Sequence, residues 1–273
     1  APRLWINPGT PAARVLAKLP AGCERVISAL NLTQPHRVLP EMPALAAALD
    51  ARGIPLLNAR VTDHGKRALH ALTARLGLPS AAAGAEGPPD ELLIVKAEHN
   101  SGANIERALT PEERRALGLP EIPAYVPERD DYGVLPRSAV PAASIADPFL
   151  AVERFLAHPE GLLYRLFLAG RHGALYLRRS GATVVRGTNA EMLAAWRLEA
   201  TADGWRLLEP LLADGRAPGE LPLPAVLATA RRAADAAGLE LGALDLLAEA
   251  DGTAYLLDLN STPYLDSFID CDA

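Results

Sequence analysis

Two apolar runs near the C-terminus, separated by Asp251-Gly252, constrain the fold more than any other feature of the sequence. Asp-Gly between apolar segments is typical of a tight β-hairpin, because a type I′ turn requires positive φ at both of its central residues. Counting outward from that two-residue turn places Asp245 directly opposite Asp258. The pattern therefore predicts an antiparallel strand pair in which two carboxylates face each other.

An amide joins this pair, because Asn260 lies two residues beyond Asp258 and points to the same face. Like charges directly opposite each other destabilise a sheet, and isolated buried carboxylates need a partner. Oxygen ligands suit Mg²⁺ or Mn²⁺, which complete their shells with waters and substrate phosphates. We therefore predict a metal site formed by Asp245, Asp258 and Asn260. In the structural alternative, Asp258 and Asn260 cap the following turn while Asp245 faces solvent.

Composition and charge narrow the class of protein. The 273 residues are 49% hydrophobic and 22% charged, which is ordinary for a globular chain with a sizeable core. The net charge of -6 does not favour nucleic acid as a partner. The sequence has no apolar run long enough to span a bilayer and no signal-peptide core, so we expect no membrane partner and a cytoplasmic location.

Helical patterns alternate with short apolar runs, which predicts an α/β fold beginning with a small parallel α/β domain over residues 1–85. We predict a hairpin over 162–179 and an amphipathic helix over 225–237. Residues 210–224 are predicted to form a loop. The proline-rich segment 120–148 lacks periodicity and is too long for a simple connection, so we interpret it as a moving or substrate-contacting segment.

Two lysines are candidates for phosphate binding. Lys96 ends an apolar strand, and the backbone amides of Ser101 and Gly102 follow it closely enough to help hold a phosphate. In the alternative, Lys96 is a lysine that leaves the core at a strand end. Lys66 is the weaker candidate, since most lysines at the start of a helix are solvated.

Two arginines form a candidate anion site in the predicted hairpin. Arg165 and Arg178 face each other if Arg171 and His172 are the turn residues. Paired guanidinium groups repel each other unless an anion lies between them, and a carboxylate or a transferring phosphoryl group is the obvious anion.

Taken together, these segments resemble the ATP-grasp superfamily, in particular its D-alanine–D-alanine ligases and ribosomal-protein glutamate ligases. The resemblance covers roughly residues 50–265. It is most specific at Leu257-Asp258-Leu259-Asn260-Ser-Thr-Pro263, which is similar to the family pattern E-x-N-x-x-P. The strand that ends at Lys96 resembles the family strand with a phosphate-binding lysine. Ile54–Asn58, Lys66 and Leu76–Pro79 form a weaker match.

Three positions depart from the family pattern. Asp258 replaces the more usual glutamate and is a shorter oxygen ligand. Ala243 stands where some ligases have an arginine, so Arg165 or Arg178 would supply the positive charge. Gly102 is a single glycine in a loop that is often glycine-rich in the family.

The resemblance implies a fold in which two α/β lobes, residues 86–156 and 157–273, clasp a nucleotide. The hinge between the lobes would hold adenine through its backbone, and a downstream glutamate would hold ribose. Lys66 and Lys96 would bind phosphates, and Arg165 and Arg178 would stabilise the acyl-phosphate or the substrate carboxylate. The implied nucleotide contacts at the hinge are Glu153, Arg154, Phe155, Leu156 and Glu160.

The implied function is an ATP-dependent ligase that joins a carboxylate and an amine, on a small molecule or peptide, through an acyl-phosphate. The implied cofactors are ATP and Mg²⁺ or Mn²⁺. The sequence leaves open whether the protein forms a homodimer. Two alternatives are an ATP-grasp small-molecule kinase and a nucleotide-binding module without turnover. The changed arginine position permits the module, whereas the three retained metal-ligand candidates argue against it.

Overall fold

The N-terminal part of the chain is a small parallel α/β unit, as predicted. The computed structural model describes residues 11–28, 42–61, 63–116, 118–158, 160–184, 190–202, 204–212 and 220–261. The unit consists of α1 (Ala12–Leu16), β1 (Val26–Ile27), α2 (Met42–Asp50) and β2 (Leu56–Leu57). β1 and β2 pair in parallel, and a small apolar cluster around Leu45 and Leu49 holds the helices against them.

A three-stranded antiparallel sheet and the helices around it follow. In chain order, this part of the chain contains α3 (Lys66–Arg75), β3 (Leu92–Ala97), α4 (Asn104–Ala108), α5 (Pro111–Ala116), β4 (Val134–Pro136), α6 (Ala142–Ala146) and β5 (Leu150–Arg154). β3 is the central strand, between β4 and β5. The segment 120–148 therefore contains an edge strand and a helix, and Pro136 is tolerated at the end of that edge strand.

A six-stranded antiparallel sheet forms the rest of the chain. Its elements are β6 (Leu162–Ala169), β7 (His172–Arg179), β8 (Glu191–Thr201), β9 (Gly204–Leu212), α7 (Leu223–Ala237), β10 (Leu241–Ala248) and β11 (Ala254–Asn260). The strand order is β11-β10-β6-β7-β8-β9. One face packs on α7 through fully buried side chains such as Leu166, Leu175 and Leu244. The opposite face carries a smaller buried cluster around Phe167 and Tyr176 and, next to it, the charged side chains of the candidate site.

The α/β fold class is confirmed, but one hairpin was missed. β8 and β9 form a long antiparallel pair, and β9 includes Pro210 and Leu212, which the sequence assigned to a loop. β9 is an edge strand, where a proline without a backbone N–H is tolerated. No helix in the described part of the chain combines the length and the apolar character that crossing a bilayer requires.

Helix α3 and the residues that flank it pack on the six-stranded sheet. Val61, Leu69 and Leu78 belong to the same buried cluster as the apolar face of α7. The N-terminal domain over 1–85 and the lobes over 86–156 and 157–273 stay predictions. Within the described residues, the chain from 61 to 78 shares its core with the C-terminal sheet.

Asn58 joins the N-terminal unit to the start of β10. Its side-chain oxygen accepts hydrogen bonds from the amides of Glu240 and Leu241, at 2.8 and 3.0 Å. Its side-chain nitrogen donates to the carbonyls of Leu241 and Ser28, at 2.6 and 3.3 Å. Asn58 is fully buried and adopts a positive φ of 59°. Because every polar atom of the side chain is used, no apolar residue of similar size can replace it.

We expect Asn58→Gly to lower the free energy of unfolding by roughly 2–4 kcal/mol, because four backbone groups lose their hydrogen bonds to this buried side chain. Glycine tolerates the positive φ, so the change isolates the side chain. Urea unfolding measures the effect. The exposed Asn104→Ala is the control and should change stability by less than about 0.5 kcal/mol; equal stability of Asn58→Gly and wild type would contradict the assignment.

Candidate active site

A row of charged side chains crosses three strands on the face of the large sheet that lies opposite to α7. Asp245 of β10 lies directly opposite Asp258 of β11 on one side and Arg165 of β6 on the other. Nη1 of Arg165 lies 3.1 and 3.0 Å from the two carboxylate oxygens of Asp245. Burial raises the pKa of Asp245 to about 6 against the opposing charge of Arg165, and Asp258 adds to the rise. The row therefore sets two carboxylates side by side with Arg165 bound to one of them, and the charge of Arg178 also acts on Asp245.

The predicted pairing of Asp245 with Asp258 is confirmed, but the turn that produces it differs from the prediction. The amide of Gly252 donates to the carbonyl of Glu249 at 2.9 Å, and the strands close around a three-residue loop in which Gly252 has φ 85°. This loop shifts the pairing by one residue. A β-bulge that leaves Leu257 unpaired shifts it back before Asp258 is reached.

Asn260 extends the row by one position along β11. It lies opposite the small residue Ala243, and its side chain is half-buried on the same face as Asp258. In the described part of the chain, no group of three or more His, Cys, Asp or Glu side chains is arranged to hold a metal ion. Two carboxylates and one amide fit a hard cation such as Mg²⁺ only if water or phosphate oxygens supply its other ligands.

The predicted direct pairing of Arg165 with Arg178 is wrong. The turn residues are Gly170 and Arg171, so Arg165 faces Tyr176 and Arg178 faces Leu163. Gly170 takes φ 62°, which suits the first central position of a two-residue turn. The two arginines are diagonal neighbours on one face. Burial lowers the pKa of Arg178, and the charge of Arg165 lowers it further.

Lys96 and Glu153 form a buried ion pair in the small sheet. Nζ of Lys96 lies 2.5 Å from Oε2 of Glu153, and Nε2 of His70 lies 3.2 Å from Oε1. Burial opposes the ionisation of Glu153, but Lys96 and His70 outweigh it and hold the pKa of Glu153 at about 2. The Glu153 side chain therefore anchors Lys96 inside the lobe. The sequence placed Glu153 at the nucleotide and gave no role to His70.

The backbone at the end of β5 is only partly available to a ligand. The amide of Arg154 donates to the carbonyl of Ala81 at 2.7 Å, and the amide of Phe155 donates to Leu92 at 2.8 Å. These two predicted contacts cannot use their N–H groups for adenine in this conformation. Leu156 is buried against Leu247 and Tyr255 of the large sheet, where the two sheets meet.

Lys66 is more buried than the sequence suggested. It begins α3 with only 6% of its surface exposed, and its Nζ donates to the carbonyl of His99 at 3.3 Å. Its expected solvation is therefore wrong. Ser101 and Gly102 lie in a short 3₁₀ turn, Asn100–Ala103, directly after β3. Gly102 is buried with φ 68°, a conformation that favours glycine.

Glu160 lies beyond the hinge, at the rim of an open groove of about 820 Å³. Phe155 and Arg179 also line this groove, and Asp251 of the hairpin loop closes one side. The residues of the charged row do not line it. The structure thus brings Phe155 and Glu160 together but places them apart from Asp245 and its partners.

Charges from both sheets act on Tyr132, a residue that the sequence analysis did not name. It belongs to the segment 120–148. Burial raises the pKa of its hydroxyl against the opposing charge of Lys96, while the charges of Asp258 and Glu153 add to the rise. One hydroxyl therefore senses Lys96 of the small sheet and Asp258 of the large one. No pattern in the sequence marks this tyrosine, because only the tertiary fold brings it there.

Glu98 attaches the start of α3 to the end of β3. Both of its carboxylate oxygens accept from the amide of Arg67, each at 3.1 Å. The guanidinium group of Arg67 in turn donates to three backbone carbonyls, those of Ile145, Asp147 and Leu150. Burial raises the pKa of Glu98 to about 7 against the opposing hydrogen bond of Arg67 and the charge of Lys66.

The sequence matches no protein-family model and no curated protein. Solved structures similar to the chain include the ATP-grasp ligase PsnB complexed with a phosphomimetic variant of minimal precursor, Mg and ADP, at 16% identity and a TM-score of 0.44. The match covers 83% of this chain and 60% of PsnB. This chain therefore spans less than two thirds of the length of PsnB.

Two further solved structures are similar to the chain. The L-amino acid ligase from Bacillus licheniformis is 14% identical with a TM-score of 0.38, over 81% of this chain and 47% of its own. A biotin carboxylase from Campylobacter jejuni, complexed with a β,γ-ATP ligand, is 12% identical with a TM-score of 0.42. The match covers 93% of this chain and 51% of the carboxylase.

We expect Arg165→Ala to lower the free energy of unfolding by roughly 2–4 kcal/mol, because it leaves Asp245 buried beside Asp258 without its cation. Asp258→Asn should leave stability unchanged or raise it by up to about 1 kcal/mol, because it removes the repulsion. Urea unfolding in metal-free buffer compares the two. The exposed pair of Arg206 with Glu199 supplies the control: Arg206→Ala should cost less than about 1 kcal/mol.

We expect Glu98 to make stability depend on pH. Its folded pKa of about 7 exceeds the ordinary value of 4.5, so its stabilising effect is complete below pH 4.5 and is lost as the pH rises through 7. Between pH 5 and 8, the free energy of unfolding of wild type should fall by roughly 1–3 kcal/mol more than that of Glu98→Gln. Urea unfolding at each pH, with exposed Glu112→Gln as control, tests this; parallel curves for Glu98→Gln and wild type would contradict it.

Proposed function

We propose that this chain is an ATP-dependent ligase of the ATP-grasp type that joins a carboxylate to an amine through an acyl-phosphate. The observation that carries the proposal is the opposed pair Asp245–Asp258 beside Arg165. Two carboxylates directly opposite each other on a half-buried sheet face repel each other, and a bound cation would relieve that repulsion. Mg²⁺ or Mn²⁺ with nucleotide phosphates meets that need.

The purine would bind where the two sheets meet. The amides of Arg154 and Phe155 point to opposite sides of β5, so alternation along the extended chain directs the Leu156 amide toward the side of Ala81. That is the side on which Leu247 and Leu257 of the large sheet lie. We infer that the Leu156 amide and the Arg154 carbonyl meet the adenine edge, and that Glu160 meets the ribose.

The phosphates and the metal ion would lie farther along the same cleft. Asp245, Asp258 and Asn260 are the residues that would hold Mg²⁺, and Lys66 and Lys96 would hold phosphate oxygens. When bound, Mg-ATP supplies the phosphoryl group that activates a carboxylate for attack by an amine. Lys96 would exchange part of its contact with Glu153 for phosphate, and the bond from His70 would keep Glu153 in place.

The chain's own contribution to the reaction would be electrostatic. Arg165 and Arg178 place two guanidinium groups diagonally on the sheet face that carries the metal candidates. Fixed cations there would stabilise the negative charge of a carboxylate and of its acyl-phosphate. Closure of the small sheet over this face would exclude water from the activated acyl group.

Product analysis with mixtures of amino acids and small carboxylates tests the reaction class. ADP and phosphate that form only when a carboxylate and an amine are both present support a ligase. ADP with a stable phosphorylated product supports a kinase. Binding of Mg-AMPPNP without turnover supports a nucleotide-binding module. Absence of any Mg-AMPPNP binding by calorimetry would contradict all three.

We expect Lys96→Gln to weaken Mg-AMPPNP binding by roughly 10- to 100-fold, because a charge-assisted phosphate contact contributes about 1.5–3 kcal/mol. Glutamine still donates to Glu153, so the lobe should keep its fold. The exposed Lys18→Gln is the matched control and should bind as wild type does. Calorimetric titration measures the affinities; equal values for Lys96→Gln and wild type would remove Lys96 from the site.

A further inference from the structure

A buried carboxylate in the small sheet is shared by two partners from different elements. Only 3% of the Glu153 side chain is exposed. Its Oε2 atom lies 2.5 Å from Nζ of Lys96 on β3, and its Oε1 atom lies 3.2 Å from Nε2 of His70 on α3. No other described side chain lies within ion-pair distance of Glu153. The charge of Glu153 therefore depends on one lysine and one imidazole.

The ionised state of Glu153 determines which nitrogen of His70 carries a hydrogen. Burial raises the pKa of Glu153, but Lys96 and His70 outweigh burial and hold it at about 2. An ionised carboxylate can only accept hydrogen bonds, so Nε2 of His70 carries the hydrogen of the shared bond. Nδ1 is then the position for a second proton, and 16% of the His70 side chain is exposed to water. The imidazole can thus be neutral or cationic without losing its bond to Glu153.

Binding of an anion by Lys96 would leave Glu153 short of a cation. An ammonium group that turns toward a phosphate neutralises Glu153 less well, and a buried carboxylate that loses its cation is strongly destabilised. The carboxylate cannot be compensated by water, because it is almost fully buried. A proton on Nδ1 of His70 makes His70 and Glu153 a neutral ion pair and frees the charge of Lys96 for the phosphate. An imidazole gains a proton more readily near neutral pH than a carboxylate does.

Glu153 is the one titratable partner of His70 among the described residues. The two arginines of α7 are engaged elsewhere, one with Asp235 at 2.6 Å and the other with a backbone carbonyl. Lys66 and Arg67 at the start of α3 also donate to backbone carbonyls. The titratable groups of the elements around His70 are Glu153 of β5, Lys96 of β3, Tyr132 of segment 120–148, Tyr255 and Asp258 of β11, Arg231, Arg232 and Asp235 of α7, and Lys66, Arg67 and Arg75 of α3.

We propose that His70 is a positioning residue that takes up a proton when Lys96 turns from Glu153 to an anionic ligand. The ligand is the nucleotide phosphate, and to that extent the inference rests on the proposed function. The proton comes from water and binds Nδ1, so the bond from Nε2 to Glu153 is kept. The charged imidazole then ties α3 to β5. Lys66, the second phosphate candidate, lies one turn earlier on the same face of α3, so the same step fixes the helix that carries it.

NMR of the histidine rings tests the link between Lys96 and His70 without nucleotide. Lys96→Gln removes the cation beside Glu153 and keeps a hydrogen-bond donor to it. We expect the His70 ring to stay charged to a pH about one unit higher in Lys96→Gln than in wild type, because a like charge is removed. The His70 signal is assigned by its loss in His70→Gln. Exposed Lys18→Gln is the control; equal titration of His70 in Lys96→Gln and wild type would overturn the inference.

Calorimetry of Mg-AMPPNP binding at about pH 7, in buffers of different ionisation enthalpy, tests the step with nucleotide. Wild type should take up roughly 0.5–1 proton more per nucleotide than His70→Gln. Its affinity should also fall more steeply with rising pH, by up to about tenfold per pH unit. Glutamine keeps a hydrogen bond to Glu153, so a purely structural role of His70 would leave the two proteins equal. Exposed His172→Gln is the matched control and should behave as wild type.

The comparison of variants separates this inference from the proposed function. Protons that the nucleotide or Glu98 exchanges are common to wild type and His70→Gln, so they cancel in the difference. Equal proton uptake by the two proteins would place the proton elsewhere and overturn the role of His70, whereas the nucleotide site would stand. Absence of Mg-AMPPNP binding by wild type would overturn the nucleotide site, and the NMR comparison would then decide the link between Lys96 and His70 by itself.

Discussion

The repulsion between Asp245 and Asp258 on adjacent strands of the large sheet is the constraint to which the other site features respond. Asp258, Asp245 and Arg165 lie side by side on three adjacent strands, and Arg178 is the next cation on the same face. The pairing geometry of a sheet keeps these side chains next to one another. The proximity of the two carboxylates therefore arises from backbone pairing rather than from flexible side chains.

The small sheet presents the opposite arrangement. Here one carboxylate, Glu153, is shared by Lys96 and His70, so the local charge is balanced or positive. The large sheet therefore contributes two neighbouring carboxylates, and the small sheet contributes a lysine held at a defined position. The charges of Lys96 and of Asp258 both act on the pKa of Tyr132, whose rise is caused mainly by burial. A metal ion with phosphates is the kind of ligand that complements both sheets at once.

Helix α3 holds these two regions in register. At its start, Arg67 and Glu98 attach it to the small sheet, and along its length Leu69 packs into the core of the large sheet. Asn58 attaches the preceding chain to β10. Because these contacts precede and follow His64, the imidazole is positioned by both sheets. The residues that the sequence marked least clearly are thus the ones that define how the sheets face each other.

The sequence by itself determined the features that depend on neighbours within one hairpin or helix. The α/β class and helix α7 follow from local apolar patterns. The pairing of Asp245 with Asp258 was predicted from a two-residue turn, and it holds because the three-residue loop and the bulge at Leu257 shift the register in opposite directions. The hairpin of β6 and β7 was predicted, but its register was not, because the carbonyl of Glu240 at the start of β10 accepts from the Gly170 amide at 2.7 Å. That contact fixes the turn one residue earlier and moves Arg165 away from Arg178.

The tertiary structure alone decided the partners that are distant in sequence. Lys96 meets Glu153 across two paired strands, and His70 reaches the same carboxylate from α3. Burial lowers the pKa of His64 against the charges of Asp258, Asp63 and Glu106, which come from three different parts of the chain. Local propensity contains no information on such contacts, because they depend on how separate elements pack. The sequence therefore determined which chemical groups the protein has on each element, and packing decided which of them face one another.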